Sequence, residues 1–277
     1  TVTLEPHGKP WLFALELPAS LPDPSGGGED EPPARGYAFV SSDQQLLARV
    51  PVTQVLRYRQ LSMLRDAFPE AERGEGADFL RLPSRGNPRT MELGRDLRAR
   101  GGSDAAVVAA ALAWLRAEPF FYTLMPPLAE RDPVDAFLFD TRRGFCEHFA
   151  GAFVVMMRAA GVPARVVTGY QGGEWNPRGG YLIVRQSDAH AWAEVLVDGT
   201  WRRVDPTATV APSRIEMGLS YAMADTEPVP LFARLDSGWL KTSQLALDAL
   251  NHAWRTHVVG FNRERQRKLW RDVGIDR

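Results

Sequence analysis

The feature of this 277-residue chain that most constrains its fold is an apolar segment near the middle. Over residues 144–161 charged side chains are few, and the large apolar ones recur at the spacing of one helical face. Gly161 and Pro163 end the pattern. A helix that is apolar nearly all round is stable only when it is covered on all sides. We therefore predict a central, buried helix, with the rest of the chain folded around it.

The first sixty residues are predicted to form β structure. Short apolar runs alternate there with turn residues. Residues 21–36 are rich in Pro, Gly and acidic side chains, which predicts a surface loop. The predicted strands are Val2–Leu4, Trp11–Leu15, Tyr37–Val40 and Val52–Leu61.

Two helices are predicted before the central one. Asn87 as N-cap, with Pro88 at the first helical position, is typical of a helix start, and this helix runs to about Arg100. Ser103 can cap a second, alanine-rich helix over Asp104–Glu118. A helical pattern returns after residue 236, and three tryptophans are predicted to anchor it: Trp239, Trp254 and Trp270.

Strands are predicted to follow the central helix. Asp198-Gly199 between two apolar runs is a strong signal for a hairpin with a two-residue turn. The predicted strands are Ala164–Tyr170, Tyr181–Gln186, Ala189–Val197 and Thr200–Asp205.

The two-residue turn fixes the register of the last hairpin. His190 and Asp205 become diagonal neighbours on one face of the strand pair, within reach of a side-chain hydrogen bond. The same register sets Glu194 opposite Arg203 as a charge pair. A three-residue turn would reverse the parity and separate His190 from Asp205.

Cys146 is the sole cysteine, so the chain can form no intrachain disulfide. It lies at the start of the predicted central helix, where unpaired backbone N–H groups and the helix dipole favour a thiolate. A thiolate nucleophile needs a base, and the base needs an orienting group. Cys146, His190 and Asp205 fit these three roles. Taken one at a time, each residue also fits a structural role: Cys146 as a small buried side chain, His190 as a core histidine and Asp205 as a turn residue.

Four motifs around these residues resemble the core of the transglutaminase-like superfamily. The resemblance covers about residues 80–225. Within the superfamily it is strongest to the periplasmic domains of bacterial multi-pass membrane proteins. The motifs are Gly144–Phe153, Arg158–Tyr170, Asp188–Glu194 and Trp201–Thr207.

The resemblance implies an α+β fold of the papain or transglutaminase type, with a nucleophile helix packed on an antiparallel sheet. It implies that Cys146 is the nucleophile, His190 the base and Asp205 the orienting group. The implied parts are an N-terminal β region over 1–66, a catalytic core over 67–225 and a C-terminal helical extension over 226–277.

The implied activity is that of a protein-glutamine gamma-glutamyltransferase, which transfers an acyl group from a glutamine carboxamide to a primary amine through a thioester. The expected partners are a protein or peptide that carries glutamine and an amine acceptor. We also expect segments outside this chain to anchor it on the periplasmic side of the bacterial inner membrane. Two alternatives stay open: a thiol peptidase or amidase with the same triad, and a catalytically silent module that binds peptides.

Composition limits other classes of function. A net charge of −1 argues against a general nucleic-acid binder. A single cysteine argues against a structural zinc site, and no metal or other cofactor is expected. Tyr170, Trp175 and Trp192 are expected to shape a substrate channel, and His148 to have a structural or supporting role.

Overall fold

A computed structural model describes residues 1–23, 36–65, 67–69, 75–129 and 131–212. The chain divides into two compact units, and the second begins at Ala67. The predicted C-terminal helix with Trp239, Trp254 and Trp270 lies outside the described residues, as does most of the predicted loop over 21–36. The division of the chain into three parts therefore stays a prediction.

In its described residues, the first unit consists of short strands joined in antiparallel pairs. The first strand pairs with the fifth, the second with the sixth, and the third with the fourth. Their small core is formed by Leu12, Ala38, Leu46, Ala48, Val52 and Tyr58. The strands are β1 (Val2–Leu4), β2 (Leu17–Pro18), β3 (Ala38–Val40), β4 (Leu46–Ala48), β5 (Leu56–Tyr58) and β6 (Ser62–Met63).

The predicted strand over Trp11–Leu15 is wrong. Within this segment only Trp11 pairs with another strand residue, through a single bridge to Leu47. The buried hydroxyl of Tyr58 instead donates to the carbonyl of Phe13 at 2.9 Å and accepts from its N–H at 2.7 Å. Because a side chain satisfies both backbone groups of Phe13, the segment needs no neighbouring strand.

An antiparallel sheet and a buried helix form the centre of the second unit. Its strands are β7 (Ala67–Pro69), β8 (Phe121–Tyr122), β9 (Arg143–Gly144), β10 (Ala164–Tyr170), β11 (Glu174–Asn176), β12 (Tyr181–Ile183), β13 (Ala189–Val197) and β14 (Thr200–Val204). The central sheet has the strand order β10-β13-β14-β7. β11 and β12 form a separate hairpin, and β8 and β9 a short parallel pair.

The helices of the second unit are α1 (Pro88–Gly101), α2 (Asp104–Ala117), α3 (Pro133–Asp135), α4 (Cys146–Ala159) and α5 (Pro206–Val210). Short 3₁₀ helices cover Glu75–Leu80 and Gln186–Asp188, and a π-helix covers Ala136–Thr141. None of the helices within the described ranges combines the length and apolar character needed to span a membrane.

The prediction of a central helix is confirmed by α4. Phe149, Phe153, Met156 and Met157 of this helix are fully buried. They share one core with α1 and α2 on the helical side and with β13 on the sheet side. The helix is therefore covered from several sides, as its apolar composition requires.

Two helix starts in this unit exchange their caps. Asn87 has a left-handed backbone (φ 52°) rather than the extended one of a capping residue, and it does not cap its own helix, α1. Its side chain accepts from the N–H groups of Val134 and Asp135 in α3, at 2.9 and 3.2 Å. The buried Asp135 carboxylate in turn accepts from the N–H groups of Arg89 and Thr90 in α1, at 2.9 and 2.8 Å. The predicted start of α1 is correct, but its capping side chain comes from α3.

Candidate active site

The start of α4 is held by the segment that precedes it. The carbonyl of Gly144 in β9 accepts from the N–H of Thr123 at 2.9 Å. A Cβ on Gly144 would lie 2.7 Å from the Cβ of His148, so only glycine allows the chain to enter the helix so closely. Cys146 follows as the first residue of α4, half-buried and in no disulfide.

The hairpin that carries His190 has the predicted register. Asp198 and Gly199 both have positive φ, 52° and 70°, as a two-residue type I′ turn requires. The pairs run from Val197–Thr200 to Ala193–Val204, so the alternative of a three-residue turn is excluded. His190 lies three residues before the last pair on β13, and Asp205 directly follows β14.

His190 and Asp205 are joined by a hydrogen bond of 2.7 Å between Nε2 and Oδ2. The other carboxylate oxygen, Oδ1, accepts from the N–H groups of Thr207 and Ala208 at 3.0 and 3.4 Å. Asp205 therefore caps α5 and contacts the imidazole with the same carboxylate. Because both oxygens are engaged, the rotamer of Asp205 is fixed before any substrate binds.

The ring of His190 lies between Asp205 and Cys146. Burial, the largest single influence, lowers the pKa of His190, but hydrogen bonding and charge from Asp205 and Cys146 outweigh it, so the pKa is raised above its ordinary value. Nε2 faces a carboxylate, which can only accept, so this nitrogen carries the proton and Nδ1 is left for the thiol. Nδ1 is buried and makes no hydrogen bond of standard geometry to any described residue.

The three aromatic residues expected in a substrate channel lie in different places. Trp192 is next to the His190 imidazole, with the ring centres 6.3 Å apart and the planes 24° from parallel. Tyr170 ends β10 and donates from its hydroxyl to Gln186 at 3.0 Å. Trp175 is on the β11–β12 hairpin, with 59% of its surface exposed. Of the three, the structure brings Trp192 into contact with the candidate triad.

His148 packs between two aromatic rings near the start of α4. Its ring centre lies 4.5 Å from that of Phe145 and 5.6 Å from that of Phe137. Burial lowers its pKa against a smaller opposing influence of the Glu147 charge. An imidazole whose pKa is lowered by burial among aromatic rings fits the expected structural role.

One buried ion pair in this unit was not indicated by the sequence. Glu194 lies opposite Arg203, as predicted, and it also lies opposite Arg165 of β10. Its carboxylate accepts from Nε of Arg165 at 2.8 Å, and both side chains are nearly buried. The Arg165 guanidinium is 4.4 Å from the ring centre of Trp201. The pairing depends on which strand lies beside β13, which the hairpin pattern alone does not specify.

The site thus places a thiol, an imidazole and a carboxylate in series at the start of a helix. In that order they can act as nucleophile, base and orienting group in acyl transfer. Within the described part of the chain, no cluster of three or more His, Cys, Asp or Glu side chains could hold a metal ion.

Comparison with known proteins places this geometry in a family. The family model of the transglutaminase-like superfamily matches residues 92–206. A protein-glutamine gamma-glutamyltransferase of Pseudomonas aeruginosa (strain PAO1) is 44% identical over 278 residues, which make up 96% of this chain and 39% of that protein. The crystal structure of the periplasmic domain of TgpA from P. aeruginosa has 44% identity and a TM-score of 0.70, over 80% of this chain and 73% of that one. The same domain bound to ethylmercury has 45% identity and a TM-score of 0.68, over 77% of this chain and 73% of that one.

The chain belongs to the transglutaminase-like superfamily. The predicted α+β fold, in which the helix that begins at Cys146 packs on an antiparallel sheet, is confirmed. The chain spans only 39% of the length of its P. aeruginosa relative, so activity, substrates and partners are considered below as proposals.

Proposed function

We propose that this chain is the catalytic domain of a protein-glutamine gamma-glutamyltransferase. The observation that carries the proposal is the placement of the His190 imidazole between Asp205, at 2.7 Å, and the Cys146 thiol at the start of α4. The name of the 44% identical relative supports the choice of this reaction within the superfamily.

In the first step the Cys146 thiolate attacks the carbonyl carbon of a glutamine side-chain amide, and a C–S bond forms. The backbone N–H of Cys146, at the start of α4, is the donor that we assign to the developing oxyanion. The C–N bond then breaks, and the His190 imidazolium gives its proton to the leaving ammonia. The raised pKa of His190 favours the imidazolium that this step needs. A thioester remains on Cys146.

In the second step a primary amine attacks the thioester carbon. The amine nitrogen gives its proton to His190, the C–S bond breaks, and the thiolate leaves. The product is an isopeptide bond, and the thiolate–imidazolium pair is restored. Water in place of the amine would give deamidation, so the choice between products depends on which of the two reaches the thioester.

We propose Tyr170 and Trp175 as residues that meet the substrate. Tyr170 ends β10 opposite Ala189, one residue before His190 on the neighbouring strand. Trp175 belongs to the hairpin that connects these two strands, and its exposed indole offers apolar surface for a peptide. Alanine at either position should raise KM and leave kcat nearly unchanged.

The proposal is tested by incorporation of a fluorescent primary amine into a glutamine-rich protein. The parent chain should label the acceptor protein, and Cys146→Ala should abolish labelling. Glu147→Gln is the matched control, because Glu147 is the neighbour of Cys146 on the same helix turn and should retain activity when its charge is removed.

Two other outcomes would contradict the proposal and indicate a different function. Release of cleaved peptide without amine incorporation, dependent on Cys146, would indicate a thiol peptidase or amidase. Alkylation of Cys146 by iodoacetamide no faster than that of a free thiol, with no turnover, would indicate a catalytically silent peptide-binding module.

We also propose that the domain works on the periplasmic side of the bacterial inner membrane, held there by segments outside this chain. Support comes from the similar TgpA domain, which is described as periplasmic. In spheroplasts that express the full-length protein, external protease should digest the domain. Protection of the domain until the inner membrane is lysed would contradict this location.

A further inference from the structure

The indole of Trp192 occupies a space beside His190 that a side chain would normally fill. Gly169 of β10 is directly opposite His190 of β13. A Cβ built on Gly169 would lie 2.8 Å from Cη2 and 3.2 Å from Cζ3 of Trp192. The far edge of the indole therefore lies over the bare backbone of Gly169, on the face of the sheet that carries His190.

Trp192 is held in this position from a second direction. The guanidinium of Arg203 in β14 is 4.2 Å from the centre of the indole ring. Tryptophan is the aromatic side chain whose face attracts a cation most strongly. The indole N–H is buried and has no hydrogen-bond partner among the described residues, so packing rather than hydrogen bonding sets its orientation.

The side chain of His190 is 0% exposed, although its hydrogen-bond partner Asp205 is 12% exposed. The near-parallel Trp192 ring lies along the imidazole. When water is kept away from His190, its hydrogen bond to Asp205 becomes stronger, because the local dielectric constant is lower.

We propose that Gly169 and Trp192 are positioning residues for the candidate base: the gap at Gly169 admits the indole, which in turn orients the His190 imidazole and shields its bond to Asp205. The proposal rests on the proposed function, in which His190 exchanges protons with Cys146. It differs from the expected role of Trp192 in a substrate channel, because the indole acts on His190 rather than on the substrate.

The alternative is that the indole only fills the gap in the sheet left by a glycine, as aromatic side chains do on neighbouring strands. In that case variants would alter stability but not proton transfer. A readout of the Cys146–His190 pair separates the two roles. Since Cys146 is the sole cysteine, the rate of alkylation by iodoacetamide at each pH reports on this thiol alone.

The test compares Gly169→Ala, Trp192→Phe and the double variant with the parent chain. The added methyl in Gly169→Ala displaces the indole, and kcat for amine incorporation should fall about 10- to 100-fold with little change in KM. Alkylation should slow by a similar factor at pH 6 and stay unchanged at pH 9, where any thiol is largely ionised. Trp192→Phe shortens the ring at its clashing edge, so the double variant should recover most of the loss.

Gly151→Ala is the matched control, since a Cβ at Gly151 in α4 meets nothing within 4 Å. It should match the parent in both assays. An unchanged alkylation profile in Gly169→Ala, or no recovery in the double variant, would overturn the proposal. If the parent chain alkylates rapidly at pH 6 but incorporates no amine, the proposed function fails while the positioning role is still tested by alkylation.

Discussion

The two faces of strand β13 differ in chemistry, although one alternating sequence produces both. One face is apolar and belongs to the core shared with α4. The other face carries charged, aromatic and titratable side chains. Among these, the whole residue His190 has 3% of its surface exposed, which is as little as in the core. The first face has Ala191, Ala193, Val195 and Val197, and the second has His190, Trp192, Glu194 and Leu196.

The difference shows how one strand can serve stability and chemistry separately. The apolar face stabilises the fold through burial, which depends on area and shape. The polar face depends on individual contacts, such as those of Asp205 with His190 and of Arg165 with Glu194. Variants on the first face should therefore lose stability through lost burial, while the effect of a variant on the second face should depend on the particular contact that it removes.

The strongest test of this separation is His190→Ala. On the proposed mechanism, amine incorporation should fall about 10⁴-fold, because base and acid functions are both lost. Loss of the fold is not expected, since the imidazole contributes to no core cluster among the described residues. Activity assays with thermal melting would decide the matter. Unfolding of both His190→Ala and Cys146→Ala would mean that these are core residues and not catalytic ones.

Phe153→Ala is the corresponding test in the core that the apolar face of β13 shares with α4. Phe153 of α4 is fully buried in the shared core, so the cavity should cost about 3–5 kcal/mol in the free energy of unfolding. Urea unfolding measures this loss. The fraction that stays folded should react at the parent rate. A selective loss of activity at full stability would erase the distinction between the two faces.

Glu194→Gln tests whether the polar face also contributes to stability. Removing the charge takes away the carboxylate that accepts from Nε of the nearly buried Arg165 guanidinium, which should destabilise the domain by roughly 3 kcal/mol. Replacing both residues with leucine should restore much of the stability, because neither charge is then buried. Chemical denaturation of the single and double variants gives the comparison. Equal stability of parent and Glu194→Gln would show that water already solvates the pair.

Variants of Asp205 can separate its two roles, which are to cap α5 and to orient the imidazole of His190. Asparagine can still accept from the N–H groups of Thr207 and Ala208, so Asp205→Asn should keep the cap of α5. Asp205→Ala should lose about 1 kcal/mol more than Asp205→Asn. Both variants should lose activity, since neither supplies a carboxylate to His190. Retained activity in Asp205→Asn would show that orientation suffices without charge.

The two histidines near Cys146 should respond to pH in opposite directions, with the smallest effects of this series. The pKa of His148 is lowered in the fold, so its contribution to stability is full above about pH 6.5 and declines as the pH falls through the folded value. The pKa of His190 is raised, so its contribution is full below about pH 6.5 and is lost as the pH rises through the folded value.

Unfolding measured from pH 5 to pH 9 checks both directions. His148→Gln should flatten the acidic side of the stability profile, and His190→Ala the alkaline side. The same slope in parent and variant on either side would show that the corresponding histidine does not titrate with folding.

The hairpin register and the central helix could be predicted because both depend on local sequence. Alternation with a period of two, together with a turn of two residues with positive φ, allows one pairing of β13 and β14. This pairing by itself is enough to bring His190 within reach of Asp205. Similarly, the composition of α4 requires burial whatever surrounds the helix.

The remaining features depend on packing between segments far apart in the chain. Tertiary structure decided that the thiol of Cys146 contacts the imidazole of His190. It also decided that Asp135 caps α1 and that β10 lies beside β13. It also placed Trp192 over Gly169. Local patterns specify which face a side chain occupies, whereas its partner is set by the three-dimensional arrangement that best buries apolar surface and satisfies polar groups.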